Sequence, residues 1–96
     1  MKKELTIEGR IDAHKAPELR KLFDSLYQAG VKDIYLNVQK VSFIDSSGLA
    51  AIVSALKAAR SQGGEFYLVN PSQAVSTLLS YTMLDQIIPI KTEFVV

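Results

Sequence analysis

The chain has 96 residues, of which 48% are hydrophobic and 22% charged, so it is long enough for one small core and too apolar for a disordered protein. Eleven basic and ten acidic side chains leave a net charge of +1, which excludes the strongly basic surface that binds nucleic acid. With no cysteine and one histidine, the chain offers neither a disulfide framework nor a set of zinc ligands. We therefore expect a single domain over residues 1–96 that holds no metal ion.

The sequence contains no segment that predicts a membrane span or a targeting signal. Residues 1–4 are mostly polar and lead directly into a short alternating stretch. No window approaches the roughly 18 consecutive apolar residues that cross a bilayer. These features predict a cytoplasmic protein without direct membrane insertion.

The first third of the chain predicts a strand followed by a helix. Residues 5–8 alternate between apolar and polar side chains, which is typical of a half-buried strand, and Gly9 ends this short strand. Pro17 suits the first turn of a helix because its missing N–H would be unpaired there in any case. The apolar stripe of this helix consists of Leu19, Leu22, Phe23 and Leu26. Gly30 is the predicted end of the helix.

The middle of the chain predicts a core strand and a second helix. Residues 34–38 alternate as a strand, and residues 41–44 run on, through a turn, towards the helix. The helix begins near Ser46, and the pair Gly63 and Gly64 ends it. Its apolar stripe consists of Leu49, Ile52, Val53 and Leu56.

The last third adds a strand, a helix and a final short strand. Residues 66–69 form a compact apolar strand, after which Asn70 as N-cap and Pro71 as first helical residue begin a third helix. Residues 87–90 suggest a last strand that lies at an edge or breaks at Pro89, because proline cannot donate to a ladder. The alternation predicts an α/β fold, with a small mixed, mostly parallel sheet of about four strands flanked by three helices.

A polar turn carries the second strand into the second helix through residues 42–50, Ser-Phe-Ile-Asp-Ser-Ser-Gly-Leu-Ala. Ser46 or Ser47 is the predicted N-cap, with its hydroxyl accepting a hydrogen bond from a backbone N–H one turn into the helix. Asp45 adds negative charge where the helix dipole favours it. Capping alone explains these residue types, so a functional serine needs further support.

One face of the second helix carries no charge. Its residues are Ser47, Ala50, Ala51, Ser54 and Ala58, with Ala55 at the margin. A solvated helix face normally bears charged side chains, which here appear only at Lys57 and Arg60. Small residues would let a neighbouring helix approach closely, whereas an exposed uncharged face would be a docking surface for a partner. The sequence leaves both explanations open.

Four segments occur in a characteristic order along the chain. They are Gly9-Arg10-Ile11-Asp12-Ala13-His14, Leu36-Asn37-Val38, Phe43-Ile44-Asp45-Ser46-Ser47-Gly48-Leu49 and Gly63-Gly64-Glu65-Phe66. In this order they resemble the STAS family, and specifically the bacterial anti-sigma-factor antagonists. The resemblance covers most of the chain and implies a small mixed sheet flanked by helices.

The resemblance also implies a regulated interaction. Ser46, the first serine after the aspartate, matches the residue that is phosphorylated by an anti-sigma factor of the GHKL serine kinase type, and a PP2C-type phosphatase removes the phosphate. The unphosphorylated protein would bind and sequester the anti-sigma factor, and phosphorylation would block that binding. Asp12 matches an acidic loop position that faces the same partner. The expected partner-binding residues are Asp12, Asp45, Ser47, Gly48, Ala50, Ala51 and Ser54, with no catalytic residue and no cofactor.

Three alternative functions compete with this interpretation. Stand-alone STAS proteins also serve as accessory subunits of ABC-type lipid transporters or as scaffolds in stress-sensing complexes. An enzyme would use Ser46 as nucleophile, His14 as base and an aspartate as orienting group, but the sequence has no Gly-x-Ser-x-Gly elbow. A nucleotide site is disfavoured because no glycine-rich phosphate loop opens a helix.

Overall fold

Residues 1–92 are described by the computed structural model, in which strands and helices alternate along the chain. The strands are β1 (Lys2–Ile11), β2 (Asp33–Ile44), β3 (Glu65–Val69) and β4 (Ile90–Lys91), and the helices are α1 (Lys15–Gln28), α2 (Ser46–Ser61) and α3 (Gln73–Thr82). A 3₁₀ turn, Leu84–Gln86, lies between α3 and β4. None of the helices in this part of the chain has the length and apolar character needed to cross a membrane.

The four strands form one sheet in the order β1-β2-β3-β4, and every neighbouring pair is parallel. Each helix therefore carries the chain to the next strand in the same direction across the sheet. Since such crossovers are right-handed, all three helices lie on one face of the sheet. The predicted α/β fold is confirmed, and among residues 1–92 the sheet is wholly parallel rather than mixed.

The core lies between the helices and the covered face of the sheet. Ile34 and Leu36 of β2 are fully buried there, next to Phe66 and Leu68 at the paired positions of β3. Phe23 of α1 meets Phe66 edge-on, with 5.3 Å between ring centroids and 84° between ring planes. The period-two pattern of β2 and β3 therefore decides which face the helices cover.

The opposite face of the sheet carries polar and aromatic side chains. Tyr35 and Tyr67 occupy paired positions in β2 and β3, and their rings stack 4.5 Å apart at 18°. Lys2 Nζ lies 5.4 Å from the centroid of the Tyr35 ring, and Lys91 Nζ lies 4.9 Å from that of Tyr67. Burial raises the pKa of Tyr67 above its ordinary value, with a further contribution from Tyr35. Both tyrosine rings are thus held between cations on the sheet itself.

Both long strands extend further than the sequence pattern indicated. β1 covers ten residues and continues past Gly9, and β2 runs through to the elbow as one strand without a turn. The register between them shifts twice, between Thr6 and Glu8 and between Gly9 and Arg10. These bulges interrupt the alternation over residues 39–42 of β2, which is why the sequence suggested a turn there.

Two helices differ from their predictions in detail. In α1, Leu22 is 38% exposed and Tyr27 is buried in its place. The buried stripe of α1 consists of Ala16, Leu19, Phe23 and Tyr27. In α3 the N-cap is Ser72, whose hydroxyl accepts a hydrogen bond from Val75 N at 3.3 Å, rather than Asn70. Asn70 has a φ of 50°, so the chain turns in the left-handed region before the helix begins.

The end of α2 and the last strand agree with the sequence. Gly63 has a φ of 80°, and Gly64 lies so close to the backbone of Lys32 that a Cβ would not fit. The glycine pair thus ends α2 and allows the backbone at Gly64 to lie against the loop before β2. β4 is an edge strand that starts directly after Pro89, although it is shorter than residues 87–90 suggested. Residues 93–96, for which the sequence predicted no element, lie outside the described residues.

Candidate partner-binding site

The site is built where β1 and β2 end side by side. Ile11 and Ile44, the last residues of the two strands, are register partners, and Asp45 N donates a hydrogen bond to Ile11 O at 3.3 Å. Since the strands are parallel, the loop of residues 12–14 and the elbow at Asp45 leave the same edge of the sheet. Helices α1 and α2 both begin at this edge, so their positive dipole ends share it.

The N-cap of α2 is Asp45, not a serine. Its Oδ1 accepts hydrogen bonds from Ser47 N at 2.9 Å and from Gly48 N at 3.1 Å, and its backbone is extended. The prediction that Ser46 or Ser47 caps the helix is therefore wrong by one or two residues. Ser46 is exposed, and within residues 1–92 its hydroxyl makes no hydrogen bond. Helix capping therefore does not account for a serine at position 46, although it accounts for the aspartate at position 45.

Replacing Asp45 by alanine is expected to lower the free energy of unfolding by about 1 kcal/mol, because two backbone N–H groups lose their acceptor. Ser46→Ala is the matched control and is expected to stay within about 0.5 kcal/mol of wild type, since the hydroxyl bonds to nothing in the described chain. Urea denaturation measures both variants. Equal losses in the two would contradict a cap supplied by Asp45.

Gly48 brings the start of α2 against the end of β1. A Cβ at this position would overlap the carbonyl oxygen and the side chain of Ile11, and Gly48 itself is buried. Only glycine therefore allows the first turn of α2 to lie this close to Ile11. The close approach fixes the position of the neighbouring Ser46 relative to the loop after β1.

Asp12 lies in that loop and accepts hydrogen bonds at the start of the neighbouring helix α1. Its Oδ1 accepts hydrogen bonds from His14 N at 3.0 Å and Lys15 N at 3.2 Å, and the bond from Lys15 lowers the pKa of the carboxyl below its ordinary value. Arg10 Nε lies 3.6 Å from the other oxygen, and the Arg10 guanidinium lies 4.0 Å above the ring of Phe43. Asp12 thus remains a charged group at the same edge as Ser46.

The uncharged face of α2 is divided between a covered and an open part. α1 covers Ala51 and Ala55, which are 1% and 4% exposed, and Arg20 Nη1 of α1 donates to Ser54 Oγ at 3.1 Å. Ala50 and Ser54 are exposed. The explanation by a covering helix therefore holds for Ala51 and Ala55, and a docking role for the exposed Ala50 and Ser54 stays a prediction.

Two of the predicted contact residues are buried within the domain. Ala51 lies under α1, and Gly48 lies against Ile11, so neither presents side-chain surface to a partner. Asp12, Asp45 and Ser47 are half-buried, so they remain partly accessible at the same edge. The accessible group is thus smaller than the sequence indicated.

An open groove runs along α2 on the side away from α1. It is lined by Ser46, Leu49, Ala50, Val53, Ser54, Lys57 and Leu84. Leu84 belongs to the 3₁₀ turn and forms the wall opposite the helix. Ser46 therefore lies at one end of an apolar groove rather than on an isolated turn.

The alternative enzyme site would require His14 to act on Ser46. His14 is exposed at the start of α1, and within residues 1–92 no hydrogen bond joins it to Ser46. The same residues contain no group of three or more histidine, aspartate or glutamate side chains placed to hold a metal ion.

A family model described as "STAS domain" matches residues 3–94. This chain belongs to the STAS family. A relative from Staphylococcus aureus, named anti-sigma-B factor antagonist, is 35% identical to this STAS domain over 81 residues, which are 84% of this chain and 75% of the relative. A relative of the same name from Staphylococcus epidermidis is 31% identical over the same shares.

Solved structures show the same fold for this STAS domain. A crystal structure from Thermotoga maritima, described as a candidate anti-sigma factor antagonist, matches with a TM-score of 0.89 at 34% identity. The match covers 97% of this chain and 80% of the Thermotoga chain. The anti-sigma factor antagonist SpoIIAA in its unphosphorylated form matches with a TM-score of 0.74 at 22% identity, over 95% of this chain and 79% of the SpoIIAA chain. The second likeness concerns the fold alone.

The STAS domain presents contact residues that the sequence did not single out. Leu84 belongs to no predicted element, so nothing in the sequence placed it opposite α2. Arg20 looked like any solvated residue of α1, and only the packing of α1 on α2 brings it to Ser54. The sequence analysis placed Val53 in the apolar stripe of α2. Its helical spacing puts it at the border between that stripe and the uncharged face, which could have identified it.

Proposed function

We propose that this STAS domain is a cytoplasmic, non-enzymatic anti-sigma-factor antagonist that is controlled by phosphorylation of Ser46. The observation that carries the proposal is the exposed Ser46 hydroxyl, which caps nothing and lies at the end of the groove along α2. The names of its relatives support the same role. The unphosphorylated form sequesters an anti-sigma factor of the GHKL serine kinase type, and a PP2C-type phosphatase restores it.

The unphosphorylated surface suits burial against a protein. Ala50, Val53 and Ser54 bear no charge, and the neutral Ser46 hydroxyl beside them needs only one hydrogen bond when it is covered. A partner can therefore bury this part of α2 without trapping an unpaired charge. Sequestration of the anti-sigma factor then leaves the sigma factor free.

Phosphorylation changes the charge at this point without requiring a change of fold. A phosphoserine carries a charge of about −1.5 to −2, and the N-terminus of α2 tolerates an anion because of its dipole. Across an interface the same group has to lose water beside the carboxylates of Asp45 and Asp12, which cannot pair with it. Binding is lost although the domain stays folded.

The test begins with capture from the source cells on immobilised wild type, Ser46→Asp and Ser47→Ala. We expect wild type and Ser47→Ala to retain a GHKL-type kinase that Ser46→Asp does not retain. The purified kinase should phosphorylate wild type and Ser47→Ala but not Ser46→Ala, and a PP2C-type phosphatase should remove the phosphate. Mass spectrometry identifies the partner and the modified residue.

The same experiment separates the alternative role. Subunits of an ABC-type lipid transporter, or of a stress-sensing scaffold, retained equally by wild type and Ser46→Asp would contradict the proposal. So would a phosphate that the kinase places on Ser47 instead of Ser46.

A further inference from the structure

The groove along α2 extends well beyond the phosphorylated serine. Ser46, Ala50, Val53 and Lys57 follow one another at intervals of four, three and four residues, so they form a single line along the helix. Ser46 and Lys57 stand at its two ends, about 16 Å apart at the rise of an α-helix. The groove is therefore long enough to contact a partner far from the site of phosphorylation.

Exposed apolar side chains stand on both sides of Leu84 in the chain. Met83 is 60% exposed and Ile87 is 54% exposed, and they flank Leu84, which lines the groove. Arg60 Nη2 of α2 donates to Ile87 O at 3.4 Å, so this wall is attached to the C-terminal half of α2. Exposed apolar groups beside an apolar groove are typical of a protein interaction surface.

The backbone at Met83 supports the same interpretation. Met83 ends α3 with a φ of 61°, in the left-handed region where glycine is the favoured residue. The side chain gains no burial in return, since more than half of it faces solvent. A strained position that keeps an exposed methionine points to a contact made outside the folded domain.

The charge of the groove indicates the kind of partner. Lys57 is the charged side chain in its lining, and within residues 1–92 it forms no ion pair or hydrogen bond. Arg60 is engaged by Glu65, with Nε 2.9 Å from Oε1, and α2 contains no acidic residue. Lys57 is thus a free positive charge at the end of the groove opposite to Asp45.

We infer that this groove binds an amphipathic segment of the anti-sigma factor, which packs apolar side chains against Val53, Leu84 and Met83 and places a carboxylate on Lys57. The inference rests on the proposed function and adds to it a second contact region at the Lys57 end of the groove, about 16 Å from Ser46. The free positive charge of Lys57 favours an acidic segment of that partner as the occupant of the groove.

The separation of the two regions has a measurable consequence. About 16 Å along the helix exceeds the Debye length of about 8 Å at physiological ionic strength, so Lys57 and a phosphate on Ser46 are largely screened from each other. The effects of changes at the two ends should therefore add. Groove variants should weaken binding by the same factor whether or not Ser46 carries a negative charge.

The experiment uses the full chain and the anti-sigma factor whose capture depends on Ser46. We expect Lys57→Glu to lower the affinity about tenfold at low salt and less at high salt, as for charge pairs at the rim of an interface. Lys21→Glu, the same change on the exposed side of α1, should leave the affinity unchanged. Met83→Gly should lower the affinity about fivefold, as expected for truncation of an apolar contact. Because glycine suits the positive φ at this position, the melting temperature of the Met83→Gly variant should not fall.

The outcomes separate the inference from the proposed function. Wild-type affinity in both Lys57→Glu and Met83→Gly, with binding still weakened in Ser46→Asp, would overturn the groove and leave the switch intact. An equal effect of Lys57→Glu and Lys21→Glu would also overturn it, because only net charge would then matter. If Ser46→Asp binds like wild type, the proposed function fails and the inference fails with it.

Discussion

Phosphorylation of Ser46 is expected to lower the affinity for the anti-sigma factor by on the order of 10³-fold, which corresponds to about 4 kcal/mol. The effect arises at the interface and not in the fold, because the Ser46 hydroxyl makes no hydrogen bond in the described chain that phosphorylation would break. The cap of α2 is supplied by Asp45 and stays in place. The phosphorylated domain should therefore unfold at the same urea concentration as the unmodified domain, or at a slightly higher one.

The size of the effect follows from desolvation of the phosphate beside two carboxylates. Covering a charged group that finds no partner costs several kcal/mol, and Asp12 and Asp45 lie at the same edge as Ser46. Ser46→Asp adds one negative charge instead of nearly two, so its effect should be smaller than that of the phosphate. Calorimetric titration of phosphorylated, unmodified and Ser46→Asp protein gives the three affinities.

A control keeps this prediction specific to the site. Ser76→Asp introduces the same side chain on the exposed surface of α3, outside the groove, and should bind like wild type. A loss below about fivefold on phosphorylation of Ser46 would be too small for a buried, unpaired charge and would contradict its place in the interface. Unfolding of α2 on phosphorylation would contradict it equally, since the switch would then be conformational.

Gly48→Ala is expected to destabilise the domain by about 2–3 kcal/mol, as for other overpacked positions. This loss of stability is opposite in sign to the usual effect of the substitution. Alanine inside a helix normally stabilises the helix by about 1 kcal/mol relative to glycine. Here the added Cβ would meet the carbonyl oxygen of Ile11, which is held by the end of β1 and cannot give way like a flexible side chain. α2 would have to move away from β1, and Ser46 with it.

The reverse substitution two residues later supplies the control for Gly48. Ala50 is exposed in the same turn of α2, so Ala50→Gly should cost only about 1 kcal/mol from the greater freedom of the unfolded chain. Urea denaturation of both variants distinguishes close packing from helix propensity. A Gly48→Ala protein as stable as wild type would mean that the approach of α2 to Ile11 is looser than described.

The order of elements could be predicted because it depends on local patterns. Apolar spacing identified the helices and β3, and the proline before β4 indicated an edge. The cap of α2 could not be assigned, since Asp45, Ser46 and Ser47 are all good N-cap residues and the pattern does not resolve a shift of one position. The bulges of β2 depend on pairing with β1, which local sequence does not reveal.

The site was predicted in part for the same physical reason. Helical periodicity identified the uncharged face of α2 correctly, but periodicity does not tell which neighbour covers which part of a face. Only the packing of α1 decides that Ala51 is covered and Ala50 is open. Leu84 lies 35 residues beyond Leu49 in the chain, and its place in the groove depends on how α3 ends.

The tyrosine stack on the helix-free face gives the domain a built-in optical reporter. The chain contains four tyrosines and no tryptophan, and Tyr35 and Tyr67 are close enough for their electronic transitions to couple. Their near-ultraviolet circular dichroism therefore follows the packing of β2 against β3. Because these chromophores lie on the side of the sheet away from α2, this signal follows folding while a partner binds on the other side.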